Sequence, residues 1–203
     1  MNKLLAALIL CSMSITSYAG NVEGEVGYAS DYLFRGESQT MGGNSMQGWA
    51  NYNIGGAYVG TWVGQVDGIG DASYEYDLYA GYDMALTDKW SVGGGLIQYR
   101  YDDKAIDHKE EWFVRGGNHW VQMSVWTDMD DADKNYKEVT LMMPAVTWVD
   151  LSLRHAIYEN DDTYQMLTIS KDVKGWRMGM EVLDSARHGQ VMDSASVFLM
   201  KTF

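Results

Sequence analysis

Apolar and polar residues alternate with period 2 along almost the whole chain, and no feature constrains the fold more. Tyr74, Tyr76, Leu78, Ala80 and Tyr82 alternate with Glu75, Asp77, Tyr79, Gly81 and Asp83. The same rhythm returns in Val121, Met123 and Val125, in Val149, Leu151 and Leu153, and in Trp176, Met178, Met180 and Val182. Side chains at i and i+2 share a face only in a strand; a helix would need a period of 3.6. The composition agrees: 22 Gly, 14 Tyr and 8 Trp beside a single Pro suit aromatic-rich, half-buried strands. The pattern resolves into about 12 strands, near residues 21–30, 45–54, 57–66, 73–84, 90–101, 110–117, 119–127, 136–143, 146–157, 163–172, 176–183 and 194–203.

The connections alternate in length. Short ones fall at Gly55-Gly56, 85–89, the Asn118 turn, the Pro144 turn and 173–175. Longer and mostly acidic ones fall at 31–44, 67–72, 102–109, 128–135, 159–162 and 184–193. In an up-and-down meander all long loops then leave one end and all short turns the other. This predicts an all-β, antiparallel transmembrane β-barrel with short periplasmic turns and longer acidic outer loops. Aromatics gather at strand ends, as interfacial girdles do. Tyr32, Phe34, Tyr74, Tyr76, Tyr99, Tyr101, Trp112, Tyr136, Tyr158 and Tyr164 lie toward the long loops. Tyr52, Tyr58, Tyr82, Trp90, Trp120, Trp148, Trp176 and Phe203 lie toward the short turns. One strand reads ambiguously: Gln98 and Arg100 share a face with Trp90, Val92 and Leu96. Either a bulge near Gly93-Gly94-Gly95 swaps the faces or the register differs.

Residues 1–19 have the form of a signal peptide, which leaves 20–203 as the barrel domain. Lys3 precedes an apolar run from Leu4 to Leu10, and Ser17 and Ala19 place small residues before a cleavage site at Gly20. Cys11, the only cysteine, lies in this segment after Leu10, which does not suit lipidation. The exported chain therefore has no thiol and no Cys-based metal site. No later stretch approaches the 18 or so apolar residues of a membrane helix. A net charge of −13 argues against nucleic acid as a partner.

Charges on a lipid face are costly, so the charged face belongs to the lumen. The pore-lining candidates are Glu75, Asp77, Asp83, Arg100, Glu111, Arg115, Glu138, Asp150, Arg154, Arg177 and Glu181. They either line water and set ion selectivity or pair across the lumen and plug it. The acidic loops 128–133 and 159–162 read as solvated, since 128–133 lacks the central glycine and final glutamate of an EF-hand. An acidic mouth concentrates cations, which predicts a cation preference. No metal or cofactor is expected. Nor is an enzyme: His108, His119, His155 and His188 show no HExxH spacing and no His-x-Ser pair, and Gly93-Gly94-Gly95 is not followed by the Lys-Ser/Thr of a phosphate loop.

Residues 27–40, Gly-Tyr-Ala-Ser-Asp-Tyr-Leu-Phe-Arg-Gly-Glu-Ser-Gln-Thr, resemble the N-terminal signature of the proteobacterial TorF porin family. The likeness continues through Ala57-Tyr58-Val59-Gly60-Thr61-Trp62, Asp67 and Asp77-Leu78-Tyr79-Ala80-Gly81-Tyr82, and the strand-like ending at Phe203 fits too. Glu37 and Ser45-Met46-Gln47-Gly48-Trp49 depart from the family pattern. The resemblance implies an outer-membrane barrel with a channel role, for small polar solutes or ions. The family name points to trimethylamine-oxide respiration, but no residue here speaks for that substrate. In the signature, Asp31 and Arg35 are candidates for a first-loop constriction, or for an ion pair that pins the loop. Phe203 would pair beside the strand starting at Asn21 and serve as the signal read by the barrel-assembly machinery. Lys201, on its face, would have to snorkel out of the surrounding outer-membrane lipid. The rival reading is a plugged structural barrel acting through its loops. The sequence sets no oligomeric state.

Overall fold

The computed structural model describes residues 20–143, 148–158, 162–187 and 190–203. The expected signal peptide, the Pro144 turn, acidic residues 159–161 and His188 lie outside the described residues. The elements are β1 (Asn21–Ala29), β2 (Leu33–Phe34), β3 (Glu37–Ser38), β4 (Ser45–Ile54), β5 (Ala57–Gln65), β6 (Tyr74–Ala85), β7 (Ser91–Tyr101), β8 (Lys109–Gly117), β9 (Val121–Asp128), β10 (Asn135–Met143), β11 (Asp150–Tyr158), β12 (Thr163–Val173), β13 (Trp176–Arg187) and β14 (Gln190–Thr202). Twelve of them close into one antiparallel barrel in sequence order, with β1 seated between β4 and β14. The other two, β2 and β3, pair only with each other, inside the first long loop.

Closure leaves each described barrel strand paired on both sides. At the seam Glu25 faces Thr202 and Ala29 faces Phe198. Beyond Thr202 the ladder continues, because the Phe203 and Gly24 amides each donate to the other's carbonyl, at 3.0 and 3.3 Å. The Phe203 ring lies over Gly24, where a Cβ would come within 2.5 Å of it. Lys201 reaches the turn carbonyls of Lys174 and Gly175 and lies 5.5 Å from the Trp176 ring. Its charge thus leaves the apolar belt, as snorkelling requires.

The outer wall carries the expected apolar rows: Val59 and Val63, Leu78, Val114, Val139 and Leu141, Met178 and Met180, Val197 and Leu199 all stand exposed. At the short-turn end Tyr52, Tyr82, Trp90, Trp120, Trp148, Trp176 and Phe203 form an exposed girdle. Tyr58 departs from it: its hydroxyl accepts a hydrogen bond from inward Arg115. The long-loop end departs further. Tyr74, Tyr76 and Trp112 do face outward, but Tyr32, Tyr99, Tyr136 and Tyr164 are buried, and Phe34, Tyr101 and Tyr158 pack against buried clusters or rings inside the barrel. Strand-end position alone could not separate a girdle from a filled lumen; the parity of each residue does.

Two further expectations change. The β6–β7 register runs unbroken from Glu75↔Tyr101 to Ala85↔Ser91, with no bulge at the glycines. Arg100 therefore shares the outer face with Tyr76 opposite it, contrary to the inward placement expected, and bonds Gln98, which in turn bonds Glu110. Three consecutive glycines carry no side chains to mark a face, so β6 decides it. The supposed acidic loop 184–193 is instead a continued hairpin, with Asp184 opposite Asp193 and Arg187 opposite Gln190. A strand that rises past the apolar belt keeps its pairing while its outward residues turn polar.

Candidate functional site

The first loop folds into the barrel. Its tip is the β2–β3 hairpin, and the two residues between those strands, Arg35 and Gly36, both have positive φ (46° and 84°). Such two-residue turns suit the twist of a hairpin, and glycine bears that conformation without strain. Gly36 is also pressed on the far wall, since a Cβ there would lie 2.8 Å from Tyr164. The base of the loop is tied by Asp31, whose Oδ1 accepts from the Ser38 hydroxyl (2.6 Å) and the Thr40 hydroxyl (2.9 Å). Asp31 is thus not the partner of Arg35, as the pinning alternative required.

Arg35 crosses to β8. Its two terminal nitrogens donate to the two carboxylate oxygens of Glu111 at 2.9 and 2.8 Å, and one also reaches the Tyr99 hydroxyl at 3.3 Å. A two-pronged bond of this kind fixes geometry as well as charge. The guanidinium carbon lies 4.5 Å from the Tyr136 ring, 4.9 Å from Trp126 and 5.0 Å from Phe34, within cation–π range. Tyr158 donates its hydroxyl to the Arg35 carbonyl. Burial opposes the guanidinium charge, but Tyr99, Glu111 and Tyr136 outweigh it and raise its pKa above the ordinary arginine value. Loop and wall together make two apolar clusters. One is Tyr136, Ala156, Tyr164, Met166 and Leu183 with Leu33 against it. The other is Tyr32, Val66 and Ala72 with Phe34 and Trp62.

Beyond this stopper, toward the short turns, the lumen is hollow. A cavity of about 350 Å³ is lined by Glu23, Trp49, Asn51, Tyr58, Tyr79 and Arg115 among others. A second of about 830 Å³ runs to the turn end past Asp83, Arg115, Gln122 and Glu138.

The expected pore-lining residues are placed as follows. Arg115 pairs with Asp83 at 2.6 Å on the vestibule wall, Arg177 with Glu25 at 2.5 Å, and Arg154 with Glu138 at 3.4 Å. Glu111 also holds Lys109 at 2.9 Å. Glu181 accepts from Thr168 at 3.4 Å, and Asp150 stands exposed near the turn end. Glu75 and Asp77 lie buried, and Glu75 accepts from the Tyr101 hydroxyl at 3.3 Å. Burial, and then the charges of Glu75 and Asp77, hold the Tyr32 phenol well above the usual tyrosine range. Glu25 and the rings around Arg35 were missed as site residues. The available signal was parity: Tyr99 stands opposite Asp77 in the register, and Tyr136 opposite Trp126.

The outer acidic loop 128–133 binds itself. Asp128 Oδ1 accepts from the amides of Asp130 and Asp131, and Asp131 from that of Asp133. Among the described residues no three His, Cys, Asp or Glu side chains gather as a metal site. His155, beside Val139 in register, faces outward, and the His119 ring packs at a tilt against Trp120 at the turn end.

Fold and lumen define the class: a 12-strand barrel of the outer-membrane type, with its first loop tucked inside. The KdgM porin has this fold, at TM-score 0.64 and 10% identity, over 89% of this chain and 99% of that one. A KdgM porin in complex with disordered oligogalacturonate aligns at 0.63, 10% identity, and 91% and 99% coverage. Outer membrane phospholipase A from Escherichia coli aligns at 0.53, 12% identity, and 89% and 91% coverage. Residues 16–125 match the family described as "Bacterial protein of unknown function (Gcw_chp)", and the chain belongs to it. No curated protein matches the chain.

Proposed function

We propose that this protein is a narrow, loop-gated outer-membrane channel for small polar solutes or ions, with a preference for cations. The observation that carries the reading is a hollow vestibule reaching up to Trp126, one of the rings that hold the buried Arg35–Glu111 pair of an inserted loop. A structural plug has no need of the cavity below it, and a buried charge pair on an inserted loop is a latch that can open. The inward face holds more carboxylates than bases, and such a wall favours cations. One neighbouring barrel was captured with oligogalacturonate; the excess of carboxylates here argues for different cargo. Residues 1–19 would direct export, outer-membrane lipid would meet the apolar wall, and the barrel-assembly machinery would insert the chain. The finer assignment to the TorF porins rests on residues 27–40, 57–62, Asp67 and 77–82.

The two apolar clusters around the loop favour the second reading, a filled barrel acting through its loops. Planar bilayers separate the two. In a salt gradient the wild type should give small, infrequent steps with a cation-selective reversal potential, and Arg35→Ala larger and longer ones. An anion-selective potential would sink the cation preference. Silence from both proteins would leave the filled barrel.

A further inference from the structure

Glu75 and Asp77 are two residues apart on β6, so both side chains leave the same face about 7 Å apart. Glu75 is 2% exposed and Asp77 6%. Glu75 Oε1 accepts from the Tyr101 hydroxyl at 3.3 Å. Glu75 Oε2 and Asp77 Oδ1, however, are buried without a hydrogen-bond partner among the described residues. No ion pair reaches either carboxylate among the described residues, whereas Glu111, Glu138 and Glu25 each face an arginine. Arg35, the nearby cation on the loop, directs both prongs at Glu111. Two adjacent, desolvated anions of this kind are costly unless a positive charge or a proton joins them.

We infer that Glu75 and Asp77 form a binding site for a hard divalent cation of the calcium class at the neck of the lumen. The donors are all oxygen, with the Tyr101 hydroxyl as a neutral third ligand, which suits such ions and not soft ones. Two carboxylates balance a charge of two. The next inward residue on β6, Tyr79, lines the 350 Å³ cavity, so the site caps the vestibule just below the stopper. Trp62 stands opposite Asp77 in the register, and its ring packs at a tilt against Tyr32, with centroids 4.9 Å apart. The site deepens the reading of the lumen as an ion path and rests on it for its role, but its occupancy can be measured separately.

Terbium(III) serves as the probe, because tyrosine and tryptophan beside it sensitise its emission. The full barrel in detergent micelles should give emission that calcium displaces. Glu75→Gln/Asp77→Asn, checked for folding by heat-modifiable migration, should lower it about tenfold or more, since even a supporting group is worth about 10- to 100-fold in metal affinity. Glu75→Gln alone gives the intermediate case should the double variant misfold. Asp130→Asn/Asp133→Asn, in the outer loop, should leave the emission unchanged. Emission lost only in the outer-loop variant overturns the site. So does a silent wild type whose double variant melts higher, the signature of a shared proton. In bilayers, calcium should reduce the potassium current of the wild type and not that of the double variant. Site-dependent emission without any current sinks the channel and leaves the site; a conducting barrel whose emission ignores both carboxylates does the reverse.

Discussion

Arg35 combines a positive φ with a buried charge, and neither would persist without compensation. A non-glycine residue in the left-handed region gives up about 1–2 kcal/mol, and an isolated buried cation far more. Glu111 and three rings supply the return, so the residue is either fully seated or not seated at all. Arg35→Ala should therefore free the loop, leaving Glu111 with Lys109 and the Tyr99 hydroxyl and costing about 3–5 kcal/mol in loop seating. Faster amide exchange across residues 31–44, with the barrel strands unchanged, would be the measurement. Arg35→Lys should recover only part of the protection, because an ammonium cannot make the two-pronged bond. Protection equal to wild type in Arg35→Ala would mean that the apolar clusters hold the loop without the charge, and in Arg35→Lys that a single positive charge suffices. From the sequence, Arg35 and Asp31 were visible as a pair of charges in one loop, but their true partners stand 76 residues away for Arg35 and seven and nine for Asp31. Local spacing favours the wrong pairing.

At the level of elements, the strands were legible because lipid imposes an apolar outer face and leaves alternation nearly intact. All twelve barrel strands fall on the expected segments, β4 at 45–54 to the residue. What alternation could not report was which aromatics turn inward, or the face of a strand whose middle is glycine. The loops obey another rule, in which side chains replace missing backbone partners. Asp102, after β7, accepts from the amides of Tyr74 and Ser73 at 3.0 and 2.8 Å and so ties two loops together. These amides, Tyr74 first and then Ser73, hold its pKa below the ordinary carboxylate value. A group depressed in this way contributes above its unfolded pKa and loses that contribution as pH falls through the folded one. Exchange of the Ser73 and Tyr74 amides should thus quicken in acid beyond its usual pH trend. Asp102→Asn, which still accepts but does not titrate, should remove the extra dependence; an unchanged profile would show that Asp102 is not the tie.

For the whole molecule, the base of the stopper is fastened to the barrel at the seam between β1 and β14. The Asp31 amide donates to the Ser196 hydroxyl at 3.1 Å, that hydroxyl donates back to the Asp31 carbonyl at 2.7 Å, and Ser30 pairs with Val197. Ser196→Ala should loosen the loop base by about 1 kcal/mol for each hydrogen bond removed, seen as faster exchange of Asp31 in an otherwise intact barrel. An Asp31 amide that stays protected would place its support elsewhere. These contacts join residues 165 positions apart, and contacts so distant in sequence form late. The remaining supports of the loop, Glu111, Tyr158 and Tyr164, likewise stand on walls made after it. A first loop that emerges early thus cannot complete its docking until the last strand arrives. Sealing is the final act of assembly, so an unfinished barrel would leak, and every finished one would be born shut.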